Sequence, residues 1–371
     1  MHPMSELIAA LLKDKDRIHE ILLCWFAENQ RDLPWRMTYD PYQVWISEIM
    51  GQQTQMDRVV EYFRRWMELF PDVVAVASAT QQQILKAWEG LGYYSRARNI
   101  HQTAQILVER HDGVMPTDKK VLLSLPGIGP YTASAILSIA YNQSVALLDA
   151  NVSRLFARLL DLSLPIKQAQ AGKILQIMAE ALLPPGQARQ FNQALMEFGA
   201  LICKPQAPQC HTCPLSKYCQ ACHAGTVAAR PVVLAKKSAI DVVMAGAIIV
   251  RGGKVFIQQR ITSDVWGGLW EFPGGRIKTG ETPEQAVYRE VCEKTQLLIT
   301  RVRPYATVVH HYTRYRVTLH GFICRLLDPA ALPVLHAATQ YAWVPLAKIA
   351  EYPFPAGHRR LVHRLCSGKK R

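Results

Sequence analysis

The chain has no apolar run able to cross a membrane as one helix. Its longest apolar stretch, Val121 to Ala140, is broken by Pro126, Gly127, Gly129 and Pro130, and a spanning helix needs about 20 apolar residues in a row. A secretory leader is lacking too, because MHPMSELIAALLKDKDR has no basic start and reaches charges after a short apolar stretch. Nine cysteines without an export signal imply reduced thiols and a cytosolic setting, which argues against disulfides. Acidic residues are scarce only toward the C-terminus. Residues 226–371 carry 22 Lys+Arg against 9 Asp+Glu, whereas residues 1–225 carry 21 against 20. That asymmetry suggests a polyanionic partner, nucleic acid before others; the plain alternative is a soluble basic surface.

At 371 residues, 49% hydrophobic and 19% charged, the chain fits a soluble protein of two or three domains. Helical periodicity runs from about residue 5 to 200. Asp40-Pro41-Tyr42-Gln43 reads as a helix start, with Asp as N-cap and Pro at the first helical position. The pattern continues from Val44 until Pro71, and further helices are expected over 80–88, 96–110, 132–140, 151–160, 168–182 and 188–201. Small residues, one Pro and a Lys pair mark 223–240 as a linker. Beyond it, Val242–Val250, Gly252-Gly253 and Lys254–Arg260 read as a β-hairpin, 283–294 as a helix, and 305–309 and 315–323 as strands. The expected architecture is a mostly α domain over 1–222, then a smaller α+β domain over 241–371, as a monomer.

Two local motifs carry chemistry. Cys203, Cys210, Cys213 and Cys219 form C-x6-C-x2-C-x5-C within 17 residues. One close pair with an outlier on each side suits a compact iron–sulfur cluster better than a zinc site built from two close pairs, with zinc and disulfides as the alternatives. Leu125-Pro126-Gly127-Ile128-Gly129-Pro130-Tyr131 joins two helical stretches, so a helix–hairpin–helix is expected over about 118–140. Gly127 and Gly129 permit a tight turn whose amides, at the start of the next helix, can grip a phosphate without reading bases. An ordinary helix–helix turn is the competing reading. No strand precedes this Gly-x-Gly, its third Gly is missing, and there is no Gly-Lys-Ser/Thr. No nucleotide cofactor is expected.

Together the quartet and the hairpin resemble the endonuclease III superfamily of DNA glycosylases over about residues 20–222. That resemblance implies a four-iron, four-sulfur cluster on the four cysteines and duplex DNA as partner. Bifunctional members place a Schiff-base lysine where Tyr131 stands, so tyrosine implies base removal without strand cleavage. Asp149, in LLDANVSR with Asn151, matches the carboxylate that stabilises an oxocarbenium-like sugar; from sequence alone it reads first as a helix N-cap, and the resemblance turns the reading to catalysis. Glu48, in WISEIMGQQTQ, lies between apolar neighbours, and desolvation would raise its pKa into the range of a general acid. A structural Glu–Arg pair is the plain alternative. The stretch resembles the adenine glycosylases of the MutY family, in which this Glu protonates adenine. The resemblance further assigns Gln53 and Tyr93 to filling the space left by an extruded base, and Arg96 to contact with the DNA backbone. Gly51 departs from the family's larger apolar residue.

In the second domain, Gly275, Glu281, Arg289 and Glu290 follow the Nudix box, but Lys294 replaces its last glutamate and Gln296 its glycine. A lysine among the ligands repels a metal, so magnesium is not expected there and the fold reads as a recognition module. Nudix-like domains of MutY proteins read 8-oxoguanine, which implies a duplex containing an adenine mispair as substrate. The family's Phe-Ser-His loop has its best match in Tyr312-Thr313-Arg314.

Overall fold

The computed structural model describes residues 3–234 and 238–368. They form two compact units, one of residues up to 74 with 103–235, the other of 75–102 with 236 onward. Residues 235–237 of the expected linker, with 1–2 and 369–371, lie outside the described residues.

The first unit is helical. One of its cores joins Ile18, Leu22 and Phe26 of the helix Lys15–Asn29 to Phe156, Leu175, Phe191 and Phe198. Each such side chain removed from water contributes roughly 1.5–3 kcal/mol. The helix Pro41–Gly51 starts as its sequence dictates: Asp40 accepts from the Gln43 amide at 3.0 Å. The apolar pattern predicted one helix from there to Pro71, and the structure breaks it. The helix stops at Gly51, Gln53 takes a left-handed φ of 58°, and a second helix runs Met56–Leu69. Glutamine is a good helix former, so no local signal announces the break. A similar departure follows the hairpin, where Lys119–Ser124 and Pro130–Ala135 are the two helices. The expected 132–140 helix changes at Ile136 into a π-helical turn to Ala140. Arg189 donates to the carbonyls of Ile139 and Ala140, both at 2.6 Å, and so satisfies acceptors that a π-turn leaves over.

The second unit carries a mixed seven-stranded sheet. Its strands are β1 (Ile240–Arg251), β2 (Lys254–Arg260), β3 (Trp270–Glu271), β4 (Gly274–Arg276), β5 (Ile299–Tyr312), β6 (Tyr315–Leu326) and β7 (Ala338–Pro345). The order is β3-β2-β1-β6-β5, with β4 on β1 and β7 on β2; only β1 and β6 run parallel. Gly252 and Gly253, both at positive φ, make the expected β1–β2 turn. β5 and β6 extend beyond the predicted strands because His310 to Tyr312 stay in register, ending at the Tyr312–Tyr315 pair. Thr313 and Arg314 form the tip. The helix Pro283–Thr295 covers one sheet face through Ala286, Val287 and Val291, and Ala356–Cys366 packs with Leu361 and Val362 into the other core. A helical unit with a helix–hairpin–helix, and an α+β unit, is the architecture read from sequence.

Candidate active site

The first unit holds a cavity of about 630 Å3 walled by Glu48, Tyr131 and Asp149, with Gln53 and Gly51 among its lining residues. That volume suits a small planar ligand. A side chain at position 51 would meet nothing within 4 Å, so Gly51 leaves this wall open. Tyr131 donates its hydroxyl proton to Glu48 Oε2. Glu48 keeps some surface toward the cavity, while protein surrounds its carboxyl. Burial pushes its pKa up to about 7; the nearby Asp149 charge adds to this, and the Tyr131 hydrogen bond and Arg36 oppose it. Burial also raises Asp149 above the ordinary range, against hydrogen bonds from the Val152 amide and from Asn151. Glu48 therefore holds a proton near neutrality.

Asp149 caps the helix Ala150–Leu159 through Val152 N at 2.6 Å, and the same carboxylate accepts from Asn151 Nδ2 at 2.9 Å. Asn151 is itself held, since Arg154 donates to its Oδ1 at 2.8 Å and to the Gly199 and Cys203 carbonyls, each at 2.8 Å. A Cβ at Gly199 would lie 2.7 Å from Asn151 Cβ, so only glycine lets the helix Ala188–Leu201 approach here. Cap and catalytic carboxylate are therefore compatible roles for one side chain.

The opposite wall was not legible in the sequence. Glu197, only 1% exposed, accepts from Arg31 Nε and Nη2, both at 2.8 Å, and from Arg36 Nη2 at 3.1 Å. Burial alone would raise its pKa, but the two guanidinium groups bring it down to about 2. Arg31, Arg36 and Glu197 line the same cavity as Glu48.

The hairpin glycines make the expected tight turn. Gly127 has a φ of 76° and Gly129 serves as N-cap of Pro130–Ala135, with open space where a Cβ would stand. Other predicted contact residues lie in the second unit. Tyr93 sits at a left-handed φ of 47° in a turn held by Trp88 Nε1 donating to the Gly92 carbonyl at 3.0 Å. Arg96 is turned onto that turn: it donates to the Leu91 and Gly92 carbonyls at 3.2 and 3.3 Å and lies over the Trp88 and Tyr93 rings. At the sheet tip Tyr312 stands with its ring centroid 5.9 Å from that of Tyr93 and 5.5 Å from Trp266, a residue that carried no signal in the sequence. Thr313 has a φ of 53°, and it and Arg314 are exposed. Gln53, Tyr93 and Thr313 thus share a backbone conformation that costs non-glycine residues about 1–2 kcal/mol each.

A family model described as HhH-GPD superfamily base excision DNA repair protein matches residues 46–180, and a NUDIX domain model matches 244–364. The chain is 32% identical to the mouse adenine DNA glycosylase over 379 residues, covering 87% of this chain and 73% of that protein. The human adenine DNA glycosylase is 32% identical, covering 80% of this chain and 65% of its own length. That of Buchnera aphidicola subsp. Baizongia pistaciae is 34% identical, covering 69% and 73%. The chain belongs to the adenine DNA glycosylase family. Membership places it in base excision repair. Among solved structures, a thermostable thymine-DNA glycosylase aligns with a TM-score of 0.53 at 30% identity, covering 58% of this chain and 99% of that one.

The Nudix box of this adenine DNA glycosylase family member is closed by its own lysine. Lys294 Nζ donates to the Gly274 carbonyl and lies 3.4 Å from Glu290 Oε2, while Arg289 binds Glu281, Glu290 and Glu293. Its ammonium thus sits between a carbonyl and a carboxylate, where a divalent cation would otherwise find oxygen ligands. Gln296 takes the left-handed φ of 54° suited to the missing glycine. Lys294→Met should lower stability by about 1–3 kcal/mol, the cost of leaving buried acceptors unpaired. Manganese should then recover part of that loss in a thermal melt while leaving the wild type unmoved. An equal manganese response in both would refute the internal-cation reading.

The cysteine loop of this family member follows the helix Ala188–Leu201. Cys203, Cys210, Cys213 and Cys219 line one cavity with Arg158, whose Nη1 donates to Cys203 Sγ at 3.3 Å. Among the described residues, no group of three or more His, Cys, Asp or Glu side chains is arranged to hold a metal ion. Burial, with repulsion among the sulfurs, pushes the Cys213 thiol up to about 12 and Cys219 to about 11. Four cysteines lining one space beside a guanidinium supply the soft donors that an iron–sulfur group takes.

Proposed function

We propose that this chain hydrolyses the N-glycosidic bond of adenine paired with 8-oxoguanine, or with guanine, in duplex DNA and leaves the strand intact. The observation that carries the reading is the pairing of Glu48, poised near neutrality, with Asp149 in one cavity. Glu48 gives its proton to adenine N7, which makes the base a better leaving group. As the bond to C1′ lengthens, positive charge builds on the sugar and Asp149 stabilises it. Asn151 orients that carboxylate, Tyr131 orients Glu48, and water adds to C1′ in place of the base, its proton returning to the Glu48 carboxylate. Without a lysine at position 131 no Schiff base forms.

Residues 1–222 are the excising part, 223–240 the linker and 241–371 the recognising part. Gly127 and Gly129 bind the DNA backbone, with Arg96 bracing the Tyr93 turn; Gln53 and Tyr93 fill the space left by the extruded base, and Tyr312, Thr313 and Arg314 meet the damaged partner. Cys203, Cys210, Cys213 and Cys219 hold a [4Fe-4S] cluster, which when bound would supply iron–sulfur bonds that cross-link the loop. The protein acts as a cytoplasmic monomer. Base release from duplexes pairing adenine with 8-oxoguanine, guanine and thymine tests the reading. The expected order is 8-oxoguanine, then guanine, with thymine slowest. Equal rates on all three would remove the substrate assignment, and strand scission without alkali would contradict the role of Tyr131.

A further inference from the structure

Three aromatic rings meet in the second unit, and the function proposed above uses only two of them. The Tyr312 centroid lies 5.9 Å from that of Tyr93 at an interplanar angle of 44°, and 5.5 Å from that of Trp266 at 67°, an edge-to-face arrangement. Tyr312 is the last residue of β5, paired with Tyr315 across the tip formed by Thr313 and Arg314. Its ring is half-buried, so contacts from other segments decide which rotamer it keeps. Trp266 is itself anchored. It lies on the loop between β2 and β3, where the Gly267 amide donates to the Asp264 carbonyl at 2.9 Å and the Gly268 amide to the Arg260 carbonyl at 3.0 Å. Arg98 Nη1 donates to the Gly267 carbonyl at 2.8 Å, tying the loop to a segment 169 residues earlier. The Arg260 guanidinium lies over the Trp266 ring, 5.5 Å from its centroid, and is held in turn by Asp264 and Glu271. The next tryptophan, Trp270, packs in the core with Phe272, whereas Trp266 stays half-buried with its ring against Tyr312.

We propose that Trp266 is a positioning residue for the damaged partner: its ring holds Tyr312 in the orientation that tells 8-oxoguanine from guanine. The inference rests on the reading that Tyr312 meets that base. The two bases differ by an oxygen at C8 and a proton at N7, and a ring that swings freely meets both alike. A ring fixed before the base arrives has already lost its rotamer freedom, so more of its contact energy is left for discrimination. The role of Trp266 runs through Tyr312, not through the chemistry of adenine release.

The test uses the full chain and single-turnover base release from duplexes pairing adenine with 8-oxoguanine and with guanine, read as the ratio of the two rates. Trp266→Ala should lower that ratio by about 2–10-fold, the worth of one aromatic pair. Trp266→Phe, which keeps an aromatic edge, should hold it near the wild-type value. In a Tyr312→Ala background, Trp266→Ala should lower it no further. A general fold defect slows both duplexes alike, so an unchanged ratio in Trp266→Ala overturns the proposal. Losses that add in the double variant also overturn it, because Trp266 would then act on its own, and so does a Trp266→Phe ratio as low as that of Trp266→Ala. If Trp266→Ala does not fold, Trp266→Leu keeps the apolar bulk without the ring and replaces it throughout. A wild-type chain with no preference, or a wild-type ratio in Tyr312→Ala, would instead overturn the reading of Tyr312 on which the proposal stands.

Discussion

Glu48→Gln will lose adenine release by about 10²–10⁴-fold, the usual worth of a positioned general acid, while duplex binding stays near wild type. Glutamine keeps the shape and still accepts the Tyr131 hydroxyl, but it has no proton to give. Single-turnover base release on an adenine–8-oxoguanine duplex measures the loss, and unchanged activity would end the assignment. The pH profile follows from the same pair. Glu48 must be protonated and its pKa is about 7, so the rate falls as pH rises through that value. Asp149 must be ionised and lies above its ordinary 3.8, so the acid limb falls at a higher pH than a free aspartate would give. The two limbs belong to the coupled pair. Stability falls over the same range. Folding raises the Glu48 pKa from 4.5, so its contribution is full below that value and is lost as pH rises through about 7. The glutamine variant, which cannot ionise, should therefore be the more stable protein above pH 7.

Asp149→Asn separates two roles that share one carboxylate. Asparagine caps helices about as well as aspartate, so the Val152 amide keeps its acceptor and the thermal midpoint should hardly move. The charge facing the sugar is gone, and excision should fall by about 10²–10³-fold, the scale of one lost preorganised electrostatic group. Asp149→Ala should lose the same activity and, in addition, about 0.5–2 kcal/mol of stability from the missing cap. Calorimetry beside single-turnover kinetics reads both effects. If Asp149→Asn excised adenine at the wild-type rate, the side chain would be a cap and nothing more.

What was legible in the sequence was local. The Asp40 cap, the hairpin glycines, the quartet and the altered Nudix box each announce themselves within a few residues, because their geometry is set by neighbours along the chain. The Glu48 wall was readable only as a carboxyl among apolar residues. Its facing network was not, since Glu197 meets Arg36 and Arg31 across 161 and 166 residues. Nothing near Glu197 distinguishes it from a surface glutamate on an amphipathic helix. Gly199 gave no sign either, because its need for a missing side chain arises from Asn151, on another helix. Cys222 falls outside the C-x6-C-x2-C-x5-C spacing, and only the fold puts it on the cavity wall. The break after Gly51 failed differently: glutamine and threonine there continue a helical pattern, and tertiary placement overrides propensity.

The left-handed backbone at Gln53, Tyr93 and Thr313 sets stability against use. Glycine at any of the three would relieve strain at its own site and delete the side chain assigned to the duplex. A directed-evolution campaign that selected for heat resistance alone would be drawn toward glycine at these positions, and its most robust survivors would be the poorest at finding damage. Keeping lesion search in the screen is the condition under which this backbone survives.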